Sequence, residues 1–435
     1  MQEFKNGIVE MSRKQRRFIA RSNARVNLME GSIRSSKTYA QFVRWATFIA
    51  DDVPNKGALV IAGKTMQSIY RNLFEPLDND PGLETFRPMI QYRQGAPTAH
   101  MFGRTCHVIG MSDARSESKI RGFTVAGALV DELTTLPEDA FKQLLGRMSP
   151  EGAKLFATTN PDAPKHWLKR DYLDRLHELP DWYVEHFTMD DNPSLTDEYR
   201  SFIRSQYAGV FFDRFILGRW VAAEGAIYGM FDKQAHVVTR AELPEIERVL
   251  AVGVDYGTNH PTRGYLIGMA RDLDGQMSLY VLSEFAPQSA TVGQHAAMLR
   301  EWLNAQNGSW GRPEWIAIDP AALVFRQQMF DDGVPDGSSI MRAHNNVLGG
   351  IETIQSLLAL GRLKIVGESC PYLVDMMPGY RWDSASAARG DTKPIKVDDD
   401  EVDALRYAIY STRRFWSHDI KIMPASRSDD LEIAA

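Results

Sequence analysis

From residue 26 onward the apolar residues fall in short runs bounded by polar or turn-forming positions. Val26–Glu30, Ala58–Ala62, Thr105–Met111, Ala126–Val130, Lys154–Thr158 and Trp182–Phe187 are the first six. Short apolar runs of this kind are the pattern of strands buried on both faces. Stretches with helical spacing, such as Thr38–Ala50 and Glu138–Met148, lie between them. This alternation predicts a parallel, three-layer α/β sheet over residues 1–190.

The pattern changes over residues 191–245. Asp190-Asp-Asn-Pro-Ser194 predicts a turn, and Leu195–Gln206 a helix with Ser194 as its cap. Aromatic-rich Phe211–Trp220 and then Glu224–Tyr228 predict a linker subdomain. From Val249 a second α/β pattern begins. Val249–Asp255, Gly264–Arg271 and Ser278–Glu284 predict three successive strands, with Asp272–Gly275 as a hairpin turn. A helix over Ala290–Asn304, a strand over Trp315–Asp319 and a final helix over Asp400–Phe415 follow. Over residues 246–418 this order resembles that of ribonuclease-H-like domains. Residues 419–435 are predicted to form a disordered tail, and Ser426–Ala435 is polar and acidic.

Bulk properties narrow the class without fixing it. A chain of 435 residues is expected to divide into two or three domains. The hydrophobic content of 44% and charged content of 24% are ordinary for a globular protein. No apolar run reaches the roughly 18 residues needed to cross a bilayer, and the N-terminus lacks a signal-peptide layout. Cys106 and Cys370, far apart, fit a reducing compartment and no disulfide framework. A net charge of −6 argues against a passive nucleic-acid coat but not against a DNA enzyme. One basic stretch, Arg13, Lys14, Arg16, Arg17, Arg21 and Arg25, reads equally well as a solvated helix face or a DNA contact.

Candidate chemistry appears in two places. Gly31-Ser-Ile-Arg-Ser-Ser-Lys-Thr38 lies between a predicted strand and a predicted helix. This is the setting in which backbone N–H groups cradle phosphates. Lys37 is placed to reach the β/γ-phosphates and Thr38 to offer a hydroxyl to Mg²⁺. Ser36 stands where the phosphate-loop pattern has a second glycine. Ala128-Leu-Val-Asp131-Glu132 ends a strand in two acids: Asp131 to hold Mg²⁺ and Glu132 to polarise the attacking water. Thr159 and Asn160, ending the next strand, are candidates for sensing the γ-phosphate. Arg34 is a candidate for contacting it, and Arg121 and Arg147 for supplying a finger. Gln15 is a candidate for hydrogen-bonding adenine.

The second place is a set of aspartates. Asp255 and Asp319 end predicted strands, while Asp400 and Asp403 share one face at the start of the last helix. Convergence of these positions predicts a site for two divalent ions about 4 Å apart, suited to in-line phosphodiester cleavage. Asp398, Asp399 and Glu401 are neighbouring carboxylates, and His260 and His344 are candidate assistants.

Taken together, these strings resemble the large terminase subunit of tailed bacteriophages and prophages. The resemblance runs through Gly31–Thr38, Val130–Glu132, Thr158–Pro161, Asp191–Ser194, Leu217–Val221, Glu224–Tyr228, Asp255–Gly257, Ile318–Asp319 and Asp403–Tyr407. It implies an N-terminal P-loop ATPase and a C-terminal ribonuclease-H-like nuclease, with ATP and Mg²⁺ (or Mn²⁺ at the nuclease site) as cofactors. It also implies work in the host cytoplasm on concatemeric double-stranded DNA. There the chain would cut and pump DNA into a procapsid through the portal, as a homo-oligomeric ring assisted by a small terminase subunit. Relatives often carry histidine where Asp400 stands, which leaves open whether Asp400 or Asp403 is the direct metal ligand. A helicase with an appended nuclease, or a non-catalytic prophage scaffold, are the alternative readings.

Overall fold

A computed structural model describes residues 11–422 apart from 81, 113, 258–259, 273, 335–336 and 398. These residues fall into two compact units. One holds the residues up to Ser201 with Val210–Ala222 and Ala388–Asp391. The other holds Phe202–Gly209, Ala223–Ala387 and the residues from Thr392 on.

The first unit is built on eight strands: β1 (Val26–Gly31), β2 (Ala58–Gly63), β3 (Ile90–Gln91), β4 (Thr98–Met101), β5 (Arg104–Gly110), β6 (Val125–Val130), β7 (Lys154–Thr159) and β8 (Trp182–Phe187). Their order is β3-β4-β5-β2-β6-β7-β1-β8. The six predicted runs form the parallel part. The antiparallel β3–β4 edge was not legible in the apolar pattern, because its strands are short and half polar.

Alternate residues of these strands enter two different cores. Val60, Ala62, Leu155 and Ala157 pack with Phe141 and Leu144 of the Glu138–Arg147 helix. Leu59, Ile61 and Phe156 pack with Phe42 and Trp45 of the Lys37–Thr47 helix. Both faces are therefore covered, as the three-layer prediction requires.

The second unit adds β9 (Val237–Val238), β10 (Arg248–Asp255), β11 (Arg263–Arg271), β12 (Met277–Phe285), β13 (Trp315–Ile318), β14 (Ser339–Arg342) and β15 (Leu363–Val366). Their order is β14-β13-β10-β11-β12-β15-β9. β10, β11 and β12 form an antiparallel meander, and β13 joins β10 in parallel with β14 outside it. That arrangement is the ribonuclease-H-like order expected from the sequence.

The predicted linker subdomain of residues 191–245 forms no third unit. Its strings dock separately. Around Leu217–Val221, the Ile33 N–H donates to the Phe215 carbonyl (2.8 Å) and the Trp220 indole to Glu30 (3.1 Å), both within the first unit. Glu224–Tyr228 belongs to the second unit, where the Ile227 N–H donates to the Tyr380 carbonyl and Tyr228 is buried. At the other end, Ile420 and Ile422 are buried, so the first residues of the predicted tail pack against the second unit. Residues 423–435, including Ser426–Ala435, lie outside the described residues.

One close approach fixes the second unit. The Asp400–Ser411 helix is buried along its whole length and crosses β10 at Gly253. A Cβ there would sit 2.2 Å from the Ala404 carbonyl oxygen and 2.3 Å from the Ala408 nitrogen. No side chain can enter without moving the helix off the strand. Gly253→Val is expected to destabilise the second unit by about 3 kcal/mol. Thermal unfolding should then show an early transition; an unchanged melting curve would contradict the packing.

Candidate nucleotide and carboxylate sites

In the first unit β1, fully buried, delivers the chain into the loop at residues 31–36, and the Lys37–Thr47 helix leaves it. Gly31 has φ 134°, and a Cβ on it would meet the Phe187 carbonyl oxygen at 1.9 Å. Arg34 and Ser36 are both left-handed, with φ 57° and 58°. Ser36 thus adopts the backbone that the pattern assigns to glycine, at a cost of about 1–2 kcal/mol.

Lys37 is 6% exposed. Its ammonium donates to the carbonyls of Gly31 (3.1 Å) and Ser32 (2.6 Å), to Ser35 Oγ (3.2 Å) and to Asn160 Oδ1 (3.1 Å). Burial pulls its pKa down to about 8, against the raising fields of Glu30, Glu132 and Asp131. Thr38, half-buried, opens the helix beside it.

Asp131 and Glu132 leave the end of β6 between β2 and β7. Asp131 is 3% exposed. Its Oδ1 accepts from Thr158 Oγ1 (3.0 Å) and its Oδ2 from Asn72 Nδ2 (2.8 Å). Burial raises its pKa, and these two donors and Lys37 oppose the rise. Glu132 is left-handed at φ 52°; burial, then Asp131, pushes its carboxyl up to about 7, while Lys64, Arg71 and Lys37 act the other way.

The structure redistributes the predicted sensor. Asn160 contacts Lys37 and Thr158 contacts Asp131, whereas Thr159 accepts from the Thr134 N–H and bonds the Thr134 hydroxyl. Gln15 is buried with both ends of its amide engaged. Its oxygen accepts from the Ser12 N–H and its nitrogen donates to the Ser35 carbonyl. It ties the Arg13–Arg21 helix to the loop. On that helix Lys14 pairs with Asp191 and Arg17 with Glu185, while Arg13, Arg16 and Arg21 remain at the surface. Arg121 is exposed, and Arg147 is half-buried at the end of its helix. Sequence reasoning missed Asn72 and Arg71. Both come from the π-helical turn Tyr70–Phe74, whose contact with β6 has no local sequence signal.

In the second unit Asp255 ends β10, Asp319 follows β13, and Asp400 and Asp403 open the last helix. Asp255 is 8% exposed. Burial, then the charges of Asp403, Asp319 and Asp400, pushes it up to about 8. The four predicted carboxylates therefore share one electrostatic neighbourhood. Among the described residues, however, no three acid, cysteine or histidine side chains are gathered as a metal cage.

Protein side chains hold two members of the set. Asp403 pairs with buried Arg406 (3.0 Å) and with Lys396 (3.5 Å). Asp400 pairs with His260 Nδ1, and burial raises its pKa against that partner. Asp319 Oδ1 accepts from the Ala321 N–H (2.9 Å). Glu401 belongs elsewhere, bound to Arg263 (2.8 Å). Asp399 pairs with Lys396, and Asp398 lies outside the described residues. The His344 ring packs edge-on against Tyr410 and its Nδ1 accepts from the Asn346 N–H, so it serves none of these carboxylates.

The donor sets suit the ligands expected of them. An ammonium over a left-handed glycine-type loop fits polyphosphate, and hard carboxylate oxygens fit Mg²⁺ or Mn²⁺.

The family profile described as terminase large subunit, T4likevirus-type, N-terminal, matches residues 28–234. The large terminase of a thermophilic bacteriophage is 30% identical, covers 92% of this chain and 99% of its own, and superposes with a TM-score of 0.78. The complex of that phage protein with ADP, 30% identical, covers 91% and 98% at a TM-score of 0.79. Its complex with ATP-gamma-S, also 30% identical, covers 92% and 99% at 0.78. No curated protein matches the chain by sequence.

The left-handed Ser36 carries a direct test. Ser36→Gly should keep wild-type nucleotide turnover, whereas Ser36→Val, β-branched at positive φ, should abolish it. Equal activity of the two variants would show that the loop does not need this backbone.

Proposed function

We propose, on the premise that this chain belongs to the phage large terminase family, that its first unit hydrolyses ATP and its second cuts DNA. As a member of that family it is a viral DNA-packaging motor, and the helicase and inactive-scaffold alternatives are set aside. The observation that carries the ATPase reading is the meeting of Lys37, Asn160, Asp131 and Glu132 at the ends of β1, β7 and β6. The complexes of the thermophilic phage relative with ADP and ATP-gamma-S support it.

Lys37 balances phosphate charge, and the loop N–H groups and Thr38 orient the polyphosphate. Mg²⁺, held by Thr38 and by Asp131, would neutralise charge on the transferred phosphoryl group. Glu132 orients the attacking water and accepts its proton as the bond to the leaving oxygen breaks. Asn160, in contact with Lys37, reports the state of the γ-phosphate to β7. Arg34, on the loop, stands ready to contact that phosphate.

In the second unit Asp255, Asp319, Asp403 and Asp400 would hold divalent ions, which supply an activated water and a stabilised leaving oxygen. Asp403 would be the direct ligand from the last helix, with Asp400, paired with His260, assisting. Arg406 holds the Asp403 carboxylate in place. DNA in the host cytoplasm is the substrate, and the basic helix Arg13–Arg21 is one surface for it. A portal, a procapsid, a small terminase subunit and a ring of copies complete the machine. No helix among the described residues is long and apolar enough to cross a membrane.

Lys37→Ala or Glu132→Gln should lower ATP turnover by about a hundredfold or more while Mn²⁺-dependent nicking of plasmid DNA persists. Asp255→Asn should do the reverse, with nicking lost and ATP turnover kept. Persistence of nicking in Asp255→Asn would remove the carboxylate assignment. Loss of both activities in Lys37→Ala would contradict separate sites.

A further inference from the structure

We propose that Asn72 is a positioning residue of the nucleotide site, clamping the Asp131 carboxylate together with Thr158. The inference rests on the ATPase reading and names a residue that reading did not contain. Asn72 Nδ2 donates to Asp131 Oδ2 at 2.8 Å, and Thr158 Oγ1 donates to Oδ1 at 3.0 Å. A carboxylate held by one oxygen can still turn about its Cβ–Cγ bond; held by both it cannot. The backbone is pinned as well, since the Asp131 N–H donates to the Ala62 carbonyl (2.9 Å). The remaining lone pairs then have one fixed direction.

Both donors are neutral. An arginine or lysine in either place would also fix the carboxylate, but its charge would compete with a divalent cation for the same oxygens. Asparagine and threonine orient Asp131 and leave its negative charge uncompensated by a salt bridge.

The local fold explains how Asn72 arrives there. Gly63, the last residue of β2, has no side chain, and a Cβ on it would meet Ile69 Cγ1 at 2.8 Å. The helix Met66–Ile69 can therefore start hard against the strand end, capped by the Thr65–Ser68 box. It widens into the π-helical turn Tyr70–Phe74, a form frequent at functional sites. Leu73 and Phe74 are buried in the core on that face, which anchors the turn and leaves Asn72 facing Asp131. Thr158 comes from β7 on the other side, where its hydroxyl also accepts from the Glu132 N–H (3.4 Å). The clamp thus spans the two acids at the end of β6.

The test uses the full-length chain with Asn72→Leu, which keeps the shape and removes the donor, and Asn72→His, which keeps an N–H at similar reach. Mn²⁺ binding to the ATP-gamma-S complex is followed by electron paramagnetic resonance, alongside ATP turnover, metal-free binding of a fluorescent ADP and thermal unfolding. Asn72→Leu should weaken Mn²⁺ about fivefold to tenfold, the scale of one ordinary hydrogen bond lost. It should lower kcat about as much, with KM for ATP and metal-free ADP binding within about twofold of wild type. Asn72→His should recover most of the loss. Thr158→Val, acting on the other oxygen, should show the same split and decides the matter if Asn72→Leu does not fold. Wild-type Mn²⁺ affinity in a folded Asn72→Leu or Thr158→Val, or equal loss in Asn72→Leu and Asn72→His, would overturn the clamp alone. A wild-type chain that neither binds nor hydrolyses ATP would sink the nucleotide reading and the clamp with it.

Discussion

Both units depend on carboxylates buried at the ends of strands. Removing an ionised carboxylate from water is costly unless hydrogen bonds or opposite charges compensate. Asp131 and Asp255 are each almost inaccessible, so the surrounding fold has to supply that compensation. It does so by bringing backbone and helix unusually near the strand ends. Gly31, Gly63 and Gly253 each occupy a point where a Cβ would collide with a neighbouring element. These three glycines let the phosphate loop, the Asn72 turn and the acidic helix come close enough to act.

The two sites solve the charge problem differently. Around Asp131 the partners are neutral donors, with Lys37 contributing its field from the loop end after β1, two strands away. Around Asp255 the nearest charged groups are mostly other carboxylates, and its pKa rises to about 8 for that reason as well as for burial. Arg406 and Lys396 restrain Asp403 and the His260 ring restrains Asp400, whereas Asp255 and Asp319 have no lysine or arginine in ion-pair contact among the described residues. A cluster of like charges in that condition favours a divalent cation strongly. The first site surrounds its carboxylate with neutral donors and one lysine; the second surrounds it with carboxylates.

Much of this was legible in the sequence because apolar runs and turn residues act locally. The six apolar runs of the first unit became its parallel strands, and Asp131, Glu132, Lys37, Asp255 and Asp319 came out at strand or loop ends as their spacing required. What escaped prediction depends on contacts between distant segments. Asn72 has no motif of its own and acquires meaning only through a π-helical turn 59 residues from its partner in sequence. That Thr158 turns to Asp131 and Thr159 to Thr134 follows from the alternation of side chains at the end of β7, which the apolar run alone does not phase. The linker strings looked like one subdomain, since sequence shows adjacency along the chain but not which core each side chain enters. The bond from the Gln15 amide to the phosphate loop joins segments 20 residues apart and has no local sequence signal.

The central claim is that one chain holds two separate metal-dependent centres, one built on Asp131 and one on Asp255. Mn²⁺ titration of the full-length chain by electron paramagnetic resonance, with and without ATP-gamma-S, measures this most directly. Nucleotide-independent binding is expected, removed by Asp255→Asn and left intact by Lys37→Ala. An additional class is expected that appears only with nucleotide and is lost in Lys37→Ala. A single class of Mn²⁺ sites, abolished together by either substitution, would contradict two separate centres.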